Sequence, residues 1–148
     1  MVRLDMQLPF AEDVPYFKTG KSTPDTWLDM VEKEILRRDG RVFMRAMGQD
    51  QELGVGCYLF VFELEGETFQ VKWPVLPTRN ANNEYAARRQ AATMIYHDVK
   101  ARCVSAEVLG ARTAFFSYLL LPDKRTVADL AAPELMGDLS KLLSPGGG

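Results

Sequence analysis

Residues 55–74 read VGCYLFVFELEGETFQVKWP, and this stretch decides the fold. Val55 to Phe62 is apolar at successive positions, as a central strand of a sheet requires. Glu65-Gly66 is a two-residue turn signal. From Glu67 to Trp73 the pattern alternates, with Phe69, Val71 and Trp73 on one face and Thr68, Gln70 and Lys72 on the other. Pro74 and Pro77 end the run, because proline donates no ladder hydrogen bond. Upstream, Arg41 to Met47 also alternates, with Val42, Met44 and Ala46 opposite Arg41, Phe43, Arg45 and Met47. A three-stranded antiparallel meander is the economical arrangement.

Helices flank it. Thr23-Pro24-Asp25 supplies a hydroxyl cap, a proline at the first helical position and an acid at the positive end of the dipole. Trp27, Leu28, Val31 and Ile35 then recur at helical spacing, and Gly40 is expected to end the helix in a left-handed conformation. After Asn80, Asn82 and Asn83 a long helix is expected to run to about Leu109, with Gly110 as its stop. Tyr85, Ala92, Ile95, Tyr96, Val99, Cys103 and Ala106 share the arc expected to face the sheet, while Met94, Val104 and Val108 lie on its back. Residues 113–121, rich in β-formers and ended by Pro122, predict a fourth strand. Thr126-Val127-Ala128-Asp129 resembles a capping box, and Pro133 opens a further helix through Leu143. The expectation is an α+β fold in the order α-β-β-β-α-β. It has an antiparallel sheet, a long helix packed on one face and a short C-terminal helical appendage. One domain spans 1–148, with an irregular arm over 1–22, a core over 23–121 and a helical tail over 122–148.

Composition narrows the function classes. No apolar run approaches the roughly 20 residues of a membrane span, and the first residues lack the apolar core of a secretory signal. Cys57 and Cys103 are read as small buried hydrophobes of a reducing compartment, so a cytoplasmic address is expected. His97, the sole histidine, has no serine or cysteine motif beside it, and no zinc spacing or Gly-rich phosphate loop is present. Neither a catalytic residue, a metal nor a cofactor is therefore assigned.

Charge is segregated along the chain. Between Lys72 and Arg125 there are nine Lys or Arg and four Asp or Glu, whereas the whole chain carries a net charge of −2. Phosphate backbones respond to such local surfaces. The candidate contacts are Arg41, Arg45, Lys72, Arg79, Arg88 and Arg89, with stacking from Phe43 or Trp73. These imply a non-catalytic nucleic-acid-binding module of low sequence specificity. Glu84, four residues before Arg88, could instead hold it in an ordinary surface pair. An assembly protein is the alternative, forming homo-oligomers through Met94, Val104 and Val108 or through the 113–121 strand.

The order of elements, with Gln70-Val71-Lys72 on the third strand, is also similar to restriction-endonuclease-like (PD-(D/E)xK) nucleases. That resemblance implies magnesium-dependent strand cleavage, with Gln70 and Lys72 in the strand motif and Glu32 or Glu34 as the helix carboxylate. The chain departs from the pattern in lacking a Pro-Asp motif at the expected place and any acid between Val55 and Phe62.

Overall fold

The computed structural model describes residues 8–18, 22–130 and 143. Three strands form one antiparallel sheet in the order β1 (Arg41–Asp50), β2 (Val55–Leu64) and β3 (Glu67–Pro74). Both hairpins are set by residues with positive φ. Glu65 (52°) and Gly66 (79°) make the two-residue β2–β3 turn, as a primed hairpin turn demands. At the β1–β2 turn Gly54 is left-handed, and the Asp50 carboxylate accepts from the backbone N–H groups of Glu52 and Leu53.

Helix α1 (Pro24–Arg37) begins where the sequence predicts, with Thr23 Oγ1 accepting from Thr26 N–H at 3.2 Å. Its end differs from expectation. Asp39 takes the left-handed conformation at φ 61°, and Gly40 serves close packing instead. A Cβ at Gly40 would lie 2.6 Å from Leu64 Cδ2 and 2.7 Å from the Glu63 carbonyl oxygen, so only glycine lets the chain pass there. Helix α2 (Glu84–Leu109) has 26 residues and runs about 39 Å. Both helices cover the sheet face that bears Tyr58, Phe60, Phe62, Phe69 and Val71, burying Val31, Ile35, Ala92, Ile95, Val99 and Cys103 against it. Each of these larger apolar side chains contributes on the order of 1.5–3 kcal/mol.

The fourth strand predicted over 113–121 forms only at its end. Ala111–Ala114 is a helical turn, α3, and Phe116–Tyr118 is a 3-10 turn. Leu119 then bridges Phe69, and Leu120 N–H donates to the Thr68 carbonyl at 2.9 Å. The last β of the predicted order is thus a short bridge that covers the outer edge of β3. Ala111, Ala114, Phe115 and Tyr118 recur at helical spacing. Coiling inserts Phe115 between Phe62 and Phe69, each 5.4 Å away centroid to centroid. That burial outweighs the β propensity of the segment, and it leaves no free strand there for self-association.

The Thr126 box forms reciprocally: Thr126 N–H donates to Asp129 Oδ2 and Asp129 N–H to Thr126 Oγ1, opening a 3-10 turn over Ala128–Leu130. The helix predicted from Pro133 lies outside the described residues, apart from Leu143, which packs on the core. No described helix is long and apolar enough to cross a membrane.

Candidate nucleic-acid interface

The eight residues predicted to contact nucleic acid fall in four places. A bulge at Phe43 explains the first separation. The β1 register shifts between Val42 and Met44, so Arg45 pairs with Phe60 and joins the helix-covered face. There its guanidinium donates to Asp29 at 2.6 Å and Glu32 at 3.5 Å and lies 3.6 Å from Asp25. Arg45 is neutralised by α1 and is not a free cation. Arg41 stays on the sheet's other face, 5.5 Å from the Phe43 ring. Lys72 shares that face with Gln70 but opens on a cleft also lined by Asp50, Glu52 and Asp129. By strand register it lies about 13 Å along the sheet from Arg41. Trp73 points to the helix side and is half-buried against the core.

Arg79 is engaged by the N-terminal arm. It donates to Asp13 at 2.8 Å and covers the Phe10 ring at 4.6 Å, while its backbone N–H bonds Glu12. The Arg79 hydrogen bond holds the Asp13 carboxyl below its ordinary value, and the Asn83 side chain does the same for Glu12. Gln90, buried in α2, donates from one amide nitrogen to the carbonyls of Ala11, Val14 and Pro15 at 2.9–3.0 Å. Sequence reasoning missed this residue, because a lone glutamine in a long helix carries no distinguishing pattern.

Arg88 and Arg89 differ from all of these. Their guanidinium carbons lie 5.5 and 6.0 Å from the ring of Tyr85, which is 47% exposed instead of packing on the sheet as expected. Among the described residues neither has a carboxylate partner, and the Glu84–Arg88 pair does not form. Arg89 Nε is buried without a hydrogen-bond acceptor. Arg88 sits at the junction of two clefts of about 420 and 470 Å³, which also share Met47. Tyr58 lines the first cleft and is 6% exposed, and its hydroxyl has no hydrogen-bond partner among the described residues. Burial raises its pKa against the pull of Arg88, so it is a neutral donor at physiological pH.

No family model, curated protein or solved structure matches this chain.

The residues of the nuclease-like motif do not converge. Glu34 is buried in ion pairs with Arg38 (2.7 Å) and Arg37 (3.4 Å), and Glu32 is held by Arg45. Gln70 and Lys72 lie on the sheet face turned away from α1. Among the described residues no group of three or more His, Cys, Asp or Glu could hold a metal. His97 is stacked on Tyr16 at 5.2 Å and flanked by Trp27 and Tyr96. Cys103 is fully buried, its thiol pushed up to about 11 by burial. It is not a nucleophile at neutral pH.

Proposed function

We propose that this protein is a non-catalytic module that binds single-stranded nucleic acid with little sequence preference, through Tyr85, Arg88 and Arg89. One observation carries this: two adjacent guanidinium groups lie against an exposed aromatic ring with no carboxylate to neutralise them. A strand supplies what the cluster lacks, phosphate for the cations and a base for the ring. Arg41 against the exposed Phe43 is a smaller pair of the same kind. No helix displays a base-reading row of Asn, Gln and Arg, which suits backbone recognition. Two buried, unbridged cysteines suit a cytoplasmic setting.

Fluorescence anisotropy with single- and double-stranded oligonucleotides tests this directly. Tighter binding of the single strand is expected, with loss of affinity in R88A/R89A. Equal affinity of that variant and the native protein would end the reading.

A second reading is self-assembly through the back of α2, favoured by Val104 and Val108, one turn apart and 50% and 83% exposed. Light scattering at micromolar concentration separates the two. A dimer that V108E dissolves would favour assembly, and a monomer would remove it.

A further inference from the structure

The 420 Å³ cleft beside Arg88 has a volume within the range of small-ligand sites, which begins at about 300 Å³. Its walls are mixed: Pro24, Leu28, Ala46 and Met47 supply the apolar part, and the polar groups are unevenly distributed. Arg88 provides an uncompensated cation. Asp25 is the acid in the lining, 3.6 Å from the guanidinium of Arg45, itself already engaged by Asp29. The Tyr58 hydroxyl is the odd group. The ring is buried while the oxygen still reaches the cleft, so a ligand seated there can bond to it.

We infer that this cleft holds one nucleotide unit, its phosphate on Arg88 and its ring against Met47 and Tyr58, with the Tyr58 hydroxyl bonding to it. This rests on the proposed single-strand binding and adds a discrete pocket to it. Asp25 gives the ligand a direction, since a phosphate is repelled from that part of the lining and drawn to Arg88. The apolar part of the lining favours a planar ring over a bare anion. Tyr85, which also lines the cleft and is exposed at its edge, would stack on the same unit or its neighbour, so a strand is gripped at a single nucleotide.

The experiment uses the full chain with three probes: adenosine 5′-monophosphate, adenosine and inorganic phosphate. Titration by calorimetry should give tighter binding of the monophosphate than of either fragment. Y58F removes one oxygen and keeps the packing, and it should weaken monophosphate binding about three- to tenfold. M47A, at a half-exposed position, should weaken it by removing the surface the ring packs on even if Y58F alters folding. Native affinity in both variants, or phosphate binding as tight as the monophosphate, overturns the pocket. If both variants keep native affinity while R88A/R89A still loses oligonucleotide affinity, the pocket fails and the single-strand reading stands.

Discussion

The N-terminal arm clamp and the Tyr85 cluster involve arginines only nine residues apart, yet their chemistry is opposite. At the clamp every charge is answered: Arg79 by Asp13, Glu12 by Asn83 and the Arg79 backbone, and the Gln90 amide by three carbonyls. At the cluster, Arg88 and Arg89 have only a ring. A cation neutralised within the fold adds to architecture and offers a phosphate little. One held in place without a counter-charge retains its full attraction for an anion from outside. The arginine count of the central segment therefore overstates its binding surface, since Arg79 and Arg88 are both exposed but only Arg79 is paired within the fold.

The comparison can be broken most strongly at Gln90. Q90L removes the amide donor shared by the carbonyls of Ala11, Val14 and Pro15, of which Ala11 keeps the Val14 N–H, and a loss of about 2 kcal/mol is expected in chemical denaturation. Oligonucleotide affinity should be unchanged; a parallel loss would mean the arm and the cluster are one site. Next in size, R88A/R89A should change stability by less than about 1 kcal/mol, since Arg88 is exposed and the partly buried Arg89 has no ion pair or side-chain hydrogen bond to lose among the described residues. A clear destabilisation would assign the two arginines to the fold.

The smallest effect is on acid stability. Asp13 and Glu12 are held below their ordinary values of 3.8 and 4.5. A depressed carboxyl adds stability above its unfolded value and loses it as pH falls through its folded value. The Tm difference between native protein and D13N should therefore be largest above pH 5 and shrink on acidification below about 4. A difference independent of pH would show that the Asp13 charge contributes nothing.

How far the fold is legible depends on whether a feature is local. The β2–β3 hairpin, the Thr23 cap, the Thr126–Asp129 box and both long helices follow from short-range spacing and all form, with α1 stopping at a left-handed Asp39 and the box opening a 3-10 turn. What escaped depends on contacts distant in sequence. The Phe43 bulge is invisible in an alternating pattern, yet it moves Arg45 from an expected binding face to the acids of α1. Gly40 reads as a cap, but its space is set by Leu64 and Glu63, more than twenty residues on. Helical spacing at Ala111, Ala114, Phe115 and Tyr118 was present over 111–118, masked by the β-rich composition of 113–121. In the site, Arg88 and Arg89 were legible as cations. Their freedom from partners was not, because it required knowing that Glu84 forms no pair with Arg88 and that Tyr85 is exposed.

The central claim is that only uncompensated arginines contact a strand. The most direct measurement is the salt dependence of single-stranded oligonucleotide affinity for the native protein, R88A/R89A and R79A. Each lost phosphate contact lowers the slope of log K against log salt by about 0.7. The double variant should therefore flatten it by about 1.4 while R79A leaves it unchanged. A slope untouched in R88A/R89A, or flattened equally in R79A, would contradict the account.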